Sequence, residues 1–243
     1  MESKGILNTK LKDYYEDGSL IGYRQIFREA VMLYEGKNFS KILDIGCGIG
    51  SFIEAVTPFG YDNYGLEASE YGLKRCKEKG INCSSFFLQK NTPLPFNDNF
   101  FSLVVMNQVI EHVDKPTGQY YIKEILRVLE PGGVAIIKSP SAYCKIWRTD
   151  PHHVYCWKPN ELKDEIKKHS NSIKKITQHR VALEPWMFQN YNEKAINRWH
   201  KNVQHPILKE MISNFAFIID KIAFRLFKTN RLQAAANFNF VKK

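Results

Sequence analysis

The residues with the most specific chemistry form a glycine-rich turn after an apolar run, Lys41-Ile42-Leu43-Asp44-Ile45-Gly46-Cys47-Gly48-Ile49-Gly50. Glycines at 46, 48 and 50 permit positive φ and let the backbone approach a ligand that a Cβ would exclude. Their G-x-G-x-G spacing differs from the G-x-G-x-x-G turn that binds a pyrophosphate. Asp44 lies two residues before the first glycine, where a carboxylate would repel a phosphate and attract an ammonium or sulfonium group. The turn predicts a nucleotide-like ligand with positive charge, and a purely structural glycine turn is the alternative.

A second acid follows at a spacing that suits a ribose. Residues 61–67 have the pattern of a short strand that ends in Glu67, 17 residues after Gly50. An acidic group about 20 residues beyond such a turn meets a ribose in dinucleotide-binding proteins, and one carboxylate can accept protons from both ribose hydroxyls. Ser69 is a typical N-cap for the amphipathic segment that ends before Gly80. We therefore predict that Glu67, with Ala68 beside it, contacts the ligand.

Candidate catalytic groups follow the apolar run 103–106, which predicts a buried parallel strand. Asn107 and Gln108 leave its carboxyl end, where ligands bind in open α/β sheets. Glu111 and His112 come next, and an imidazole titrates near neutral pH, so His112 is the first candidate for a general base. A histidine that only braces the loop by hydrogen bonds is the alternative. His153, with His152 beside it, is the next candidate, in a long aromatic loop at 139–159 of the kind that is usually functional.

Four motifs in order across residues 41–140 resemble the class I S-adenosyl-L-methionine (SAM)-dependent methyltransferases of the small-molecule type. They are the glycine turn, the strand that ends in Glu67, the segment 94–113 with its Glu111-His112-Val113, and the turn Leu129-Glu130-Pro131-Gly132-Gly133. The resemblance implies SAM as cofactor, bound by Asp44, Gly46, Cys47, Gly48, Gly50, Glu67, Ala68, Gln89, Asn107, Gln108 and Arg24. Where this family usually has an acid for the adenine amino group, this chain offers Gln89 and Asn91. Arg24, like Tyr14 and Tyr15, precedes the turn as lid residues do in relatives, and simple packing is the alternative role.

The resemblance also implies the fold, a Rossmann-like doubly wound α/β sheet of seven strands, mostly parallel with the last strand antiparallel. We expect a single domain over 1–243, with two helices within residues 1–38 ahead of the sheet. Aromatic and apolar residues laced with lysine and arginine predict a helical cap inserted at 185–230 between strands 6 and 7. The expected strands lie at 41–45, 61–67, 81–87, 103–106, 134–138, 173–182 and 234–241, and the helices between them at 51–56, 69–79, 120–129 and 160–169.

The charge of the chain is uneven. The net charge of the 243 residues is +10, yet residues 1–159 hold 19 basic against 18 acidic residues and residues 160–243 hold 16 against 7. Such asymmetry is typical of proteins with an anionic partner, and scattered surface lysines that keep a protein soluble are the alternative. Five cysteines without a C-x-x-C pair indicate free thiols. Without an apolar leader or a membrane-length apolar window, we expect a cytoplasmic protein.

The resemblance predicts methyl transfer from SAM to an O or N atom of a small metabolite, such as a sugar, a quinone precursor or an anionic conjugate. One alternative is a metal-assisted RNA 2′-O-methyltransferase, because Glu111-His112 and residues 153–157 resemble the enzymes that methylate the terminal 2′-hydroxyl of small RNAs. Those relatives have E-x-x-E-H, whereas this chain has Gln108 at the first ligand position. An amide supplies less charge than a carboxylate, so we predict no metal, with Glu111 and His112 bracing the acceptor loop. A binding module without turnover is the remaining alternative.

Overall fold

The computed structural model describes residues 20–34, 39–143, 150–179 and 235–243. The predicted cap at 185–230, Tyr14 and Tyr15, and the first of the two N-terminal helices lie outside these residues. The helices are α1 (Leu20–Leu33), α2 (Ser51–Val56), α3 (Glu70–Glu78), α4 (Lys115–Val128) and α5 (Pro159–Lys167). The strands are β1 (Lys41–Ile45), β2 (Asp62–Glu67), β3 (Cys83–Ser85), β4 (Phe101–Asn107), β5 (Leu129–Pro140), β6 (Ile173–His179) and β7 (Ala235–Lys242).

The seven strands form one sheet in the order β3-β2-β1-β4-β5-β7-β6. Strands β1 to β5 pair in parallel, and β7 runs antiparallel to both β5 and β6. The strand order reverses between β1 and β4, and ligands bind at such a switch point, beyond the carboxyl ends of the strands. The predicted fold class is confirmed, and its switch point brings the glycine turn next to the end of β4.

Two apolar cores cover the two faces of the sheet. Successive side chains of a strand point to opposite faces, so on β4 Leu103 and Val105 join a core with α1 and α2, whereas Val104 and Met106 join a core with α4 and α5. All four are at most 1% exposed. Burial of both faces explains why this strand is an unbroken apolar run in the sequence, and it makes the sheet a rigid base for the loops at its edge.

Three elements differ most from the sequence prediction. Helix α4 begins five residues early, at Lys115, because Asp114 caps it by accepting a 2.9 Å hydrogen bond from the Thr117 N–H. Strand β3 is only Cys83–Ser85. Strand β5 begins at Leu129, and the predicted turn around Gly132 is an irregularity inside it, where the pairing with β4 shifts between Phe101 and Leu103. In the described part of the chain, no helix is both long and apolar enough to cross a membrane.

Candidate cofactor and acceptor site

The loop after β1 has the backbone geometry that its glycines predict. Gly46, Gly48 and Gly50 have φ values of 70°, 56° and 80°, a region that strains other residues. The Val109 side chain also leaves no space for a side chain at position 46, since a Cβ on Gly46 would lie 2.4 Å from Val109 Cγ2. The loop therefore folds tightly against the segment that follows β4, and it leads directly into α2.

Glu67 at the end of β2 holds this loop through its carboxylate. Oε2 accepts a 2.7 Å hydrogen bond from the Gly48 N–H, and Oε1 accepts bonds from the N–H groups of Ala68 at 3.0 Å and Ser69 at 2.7 Å. The side chain is buried, with 6% exposure. A carboxylate has about four lone-pair sites, so three backbone bonds leave room for a further donor. Glu67 thus braces the loop and keeps the capacity to accept one more hydrogen bond.

Gly72, on the first turn of α3, is a site residue that sequence reasoning missed. A Cβ at this position would lie 2.7 Å from the carbonyl oxygen of Gly48 and 2.8 Å from Cγ of Glu67. Helix α3 therefore approaches the loop more closely than any side-chain-bearing residue would permit. The signal in the sequence was a glycine inside an amphipathic helix, which costs helix stability and so usually has a packing reason.

Two buried acids give the site a preference for positive charge. Burial raises the pKa of Asp44 well above its ordinary value, and the nearby Glu67 and Cys76 raise it further. Burial also raises the pKa of Glu67, although its three backbone hydrogen bonds oppose that shift. An ammonium or sulfonium group placed beside these carboxyls would favour their ionised forms. The electrostatics fit a cationic ligand such as SAM.

The segment after β4 leaves the sheet in an unusual conformation. Gln108 has φ of 58°, which is uncommon for a residue other than glycine and is frequent at functional sites. Its N–H donates to the Lys138 carbonyl at 2.8 Å, and this bond holds the bend in place. Asn107 and Gln108 are both partly buried at the carboxyl end of β4, on the same side of the sheet as the glycine loop. Their positions are those expected for ligand contacts.

Glu111 is a fully buried acid in the short 3₁₀ turn Ile110–His112 that follows. Among the described residues, neither of its carboxyl oxygens has a hydrogen-bond partner. Burial raises its pKa to about 8, and the Asp150 carboxylate adds to the shift. The backbone N–H of Glu111 and the nearby Ser139 hydroxyl offset part of it. At neutral pH this carboxyl is therefore mostly protonated.

His112 lies beside Glu111 with one ring nitrogen fixed. Its Nδ1 lies 2.9 Å from the carbonyl oxygen of His152, and since a carbonyl only accepts, Nδ1 carries the proton. Although the residue as a whole is exposed, partial desolvation of its ring lowers the pKa of His112 despite this hydrogen bond, and the neighbouring His153 contributes to the lowering. The ring is therefore neutral near pH 7, and Nε2 has a free lone pair. That is the form required of a base.

The loop 150–157 is fastened to the same turn. The Glu111 carbonyl accepts hydrogen bonds from the N–H groups of Val154 at 2.8 Å and Tyr155 at 3.1 Å. As a result the His153 ring lies 5.1 Å from that of His112, edge to face. One ligand atom each from Glu111, His112 and His153 lies within 4.8 Å of the others. The three predicted catalytic residues are thus brought together, although 40 residues separate His112 from His152 in the chain.

Three other residues are predicted to bind the cofactor, namely Gln89, Arg24 and Cys47. The Gln89 side chain is exposed, and its backbone is held by the Tyr121 hydroxyl, which bonds both its N–H and its carbonyl at 3.1 Å. Arg24 is exposed on α1. Cys47 is buried beneath the glycine loop, with its sulfur turned toward Gly65 of β2. Roles for these three in cofactor binding stay predictions.

Comparisons with known proteins agree with this geometry. Residues 43–137 match the family described as "Methyltransferase domain". The chain is 37% identical over 98 residues to cycloartenol-C-24-methyltransferase 1 of Oryza sativa subsp. japonica, which covers 38% of this chain and 28% of that protein. It is 34% identical over 133 residues to demethylmenaquinone methyltransferase of Staphylococcus carnosus, which covers 51% of this chain and 54% of that protein. The chain thus spans about half or less of these relatives.

A solved structure shares the fold over nearly the whole chain. The SAM-dependent methyltransferase from Archaeoglobus fulgidus superimposes with a TM-score of 0.62 at 19% identity, and the match covers 98% of both chains. At that identity the likeness concerns the fold alone. The matched family region includes the last three residues of β1, the glycine loop, Glu67 and the Glu111-His112 turn. Residues 43–137 therefore carry a methyltransferase domain, and the fold around them is that of a SAM-dependent methyltransferase.

Proposed function

We propose that this chain transfers a methyl group from SAM to an O or N atom of a small metabolite. The observation that carries the proposal is that two groups of residues lie next to each other at the carboxyl ends of the parallel strands. The glycine loop follows β1, which contains Asp44, and Glu67 ends the neighbouring β2, whereas Glu111, His112 and His153 meet just beyond β4. Related chains that act on small molecules support a small acceptor. Sugars, quinone precursors and anionic conjugates are the classes to test.

The cofactor would lie on the glycine loop, with Glu67 toward the ribose and Asp44 toward the positive end. When bound, SAM supplies an activated methyl group on a sulfonium. The chain's own part is to orient and desolvate the reactants and to accept a proton. The positive-φ glycines let the backbone come close to the ligand, and the two buried acids compensate its charge.

His112 is the proposed base because its Nε2 carries a lone pair and its pKa is lowered. An acceptor hydroxyl or amine placed at Nε2 would give up its proton as the new bond to carbon forms, and the Nδ1 bond to the His152 carbonyl would orient the ring. Glu111 and His153 flank the same point. The protonated Glu111 carboxyl is a potential donor, which suits positioning of the acceptor better than proton removal.

The test is release of S-adenosylhomocysteine from the full chain in a screen of phosphorylated sugars, phenols, amines and short RNAs. Turnover with a small acceptor that is lost in His112→Ala supports the proposal. His169→Ala is a suitable control, because that histidine lies at the end of α5, away from the cluster. Turnover only with RNA, or none with any acceptor while SAM binds, would contradict it.

A second candidate is metal-assisted methylation of an RNA 2′-hydroxyl. The convergence of Glu111, His112 and His153 within 4.8 Å favours it, since a divalent transition metal accepts carboxylate and imidazole ligands and would lower the pKa of an acceptor hydroxyl. Activity that survives EDTA would remove this candidate. Loss of activity with EDTA and recovery with magnesium or manganese, absent in Glu111→Ala, would favour it over the metal-free mechanism.

The cap expected at 185–230 remains part of the proposal as the segment that encloses the acceptor. A chain without this segment should still bind SAM but lose turnover, and normal turnover would exclude the role. The expected cytoplasmic location and the anionic character of the acceptor are likewise predictions.

A further inference from the structure

Three cysteines that are far apart in the sequence meet beneath the glycine loop. Cys47 belongs to the loop, Cys76 to α3 and Cys83 to β3. Their sulfur atoms all lie within 4.8 Å of one another, and the Sγ atoms of Cys47 and Cys83 are 3.4 Å apart. None of the three is in a disulfide. This group, the thiol cluster, is separate from the Glu111 group beyond β4.

The cluster occupies a space that a glycine provides. Gly65 of β2 pairs with Cys83 of β3, and a Cβ on Gly65 would lie 2.8 Å from the Cys47 sulfur and 3.3 Å from Cys83 Cβ. Any larger residue on β2 would therefore push two of the thiols apart. Ile53 and Ile81 pack with the three cysteines in an apolar group.

The spacing of the sulfurs matches the dimensions of a thiolate metal site. With metal–sulfur bonds of about 2.3 Å, neighbouring sulfurs are about 3.8 Å apart in a tetrahedral site and about 4.0 Å in a trigonal one. The observed range, from 3.4 Å to at most 4.8 Å, brackets both values. Thiolates select soft ions, Cu(I) and Zn(II) above all. Carboxylates and imidazoles are not needed.

The surroundings provide both an enclosure and an entry path. Cys76 is fully buried and Cys47 is 8% exposed, whereas Cys83 is partly exposed near the edge of the sheet. Among the described histidines, cysteines and acids, the group consists of these three cysteines. Three sulfurs suffice for Cu(I), whereas Zn(II) usually takes four ligands and would add water from the exposed side of Cys83.

We propose that Cys47, Cys76 and Cys83 bind one soft metal ion, Cu(I) in preference to Zn(II). The ion would join the glycine loop, α3 and β3, which hold one another in the apo protein through weak thiol contacts such as the 3.4 Å bond from Cys76 to the Gly48 carbonyl. Because binding displaces thiol protons, affinity rises with pH. Because it links three elements of the folded state, it raises the temperature of unfolding.

The test uses the full chain, reduced and metal-free, titrated with Cu(I) or Zn(II) against a chromophoric chelator. We expect one equivalent to bind, with at least tenfold weaker affinity in Cys83→Ser and in Cys76→Ala. Cys156→Ser is the matched control, since that thiol lies in the loop 150–157 near His153, and it should bind the ion as the parent does. No bound equivalent, or equal affinity in the Cys83 variant, would overturn the proposal.

X-ray absorption on the metal-loaded parent chain gives a readout that needs no variant. A shell of sulfur atoms at about 2.3 Å is expected, whereas binding at the Glu111 group would give nitrogen and oxygen atoms at about 2.0 to 2.2 Å. A shell without sulfur would overturn the proposal. Neither result depends on methyl transfer, so the site can fail while the proposed enzyme function stands, or the reverse.

Discussion

The backbone N–H of Gly48 donates a 2.7 Å hydrogen bond to Oε2 of Glu67, across the gap between the loop after β1 and the end of β2. This contact fixes the middle of the glycine loop by a charged acceptor, which makes it stronger than a bond between neutral groups. The residue proposed to hold the ribose therefore also shapes the surface on which the cofactor would lie. Loss of Glu67 should affect both functions.

Replacing Glu67 by alanine should weaken SAM binding by about 1.5 to 3 kcal/mol, the range for hydrogen bonds to a charged group. Calorimetric titration measures the change, and circular dichroism checks that the loop's loss of its acceptor leaves the fold intact. Glu70→Ala is the matched control, because Glu70 is an exposed acid only three residues away. Equal affinity in the Glu67 variant and the control would rule out the ribose contact.

Gly72→Ala should weaken SAM binding roughly tenfold or more, about 1.4 kcal/mol, because the new methyl group meets the Gly48 carbonyl at 2.7 Å. The substitution by itself favours the helix by about 1 kcal/mol, so a loss of affinity would come from displacement of the loop. Lys74→Ala, on the same helix with a side chain 75% exposed, is the control. Unchanged affinity in Gly72→Ala would mean that the loop shifts without consequence.

SAM affinity should increase with pH. In the free protein the pKa values of Asp44 and Glu67 are raised, and a bound cation lowers them again, so binding releases protons. The dissociation constant then falls as pH rises through the raised pKa values of the free protein and is constant above them. Calorimetry in buffers of different ionisation enthalpy counts the protons. Proton uptake on binding, or no proton release as the pH passes through these raised pKa values, would contradict the electrostatic assignment.

Glu111→Gln should stabilise the protein at high pH and change little at low pH. The pKa of Glu111 rises from 4.5 to about 8 on folding, so its protonated form suits the folded state. That advantage is complete below pH 4.5 and is lost as pH rises to about 8. The free energy of unfolding of the parent chain should fall over this range by about 1.4 kcal/mol per pKa unit, a few kcal/mol in all. Urea unfolding at pH 5 and pH 9 measures it, with the exposed Glu70→Gln as control. Parallel pH profiles for parent and variant would show that Glu111 ionises normally.

His112→Ala should lower kcat by about 100- to 10,000-fold, the usual contribution of general-base catalysis. In the parent chain, kcat should fall as pH drops through a pKa below 6.5, because burial lowers the pKa of His112. The variant should lose this limb of the pH profile. If the limb persists in His112→Ala, another group is the base, and His153→Ala is the next variant to measure.

Those parts of the site that are local in the chain can be predicted from the residues alone. The glycine turn and Asp44 lie within seven residues, and the apolar run before Asn107 predicts a buried parallel strand whose carboxyl end faces the ligand. Helix α3 begins after Ser69 as predicted, because a side chain that caps a helix acts on the N–H groups of the next turn. Periodicity and turn chemistry depend on residues that are close in the chain, so the sequence is enough to predict them.

Which distant residues meet depends on how the elements pack in three dimensions. Hydrogen bonds from the loop 150–157 to the Glu111 carbonyl bring His153 to His112, the packing of α3 on the loop explains Gly72, and the pairing of Gly65 with Cys83 leaves space for three thiols. The early start of β5 likewise depends on its pairing with β4. Such contacts arise from strand order and register, which bring together residues with no fixed spacing in the chain, and burial in that arrangement raises the pKa of Glu111.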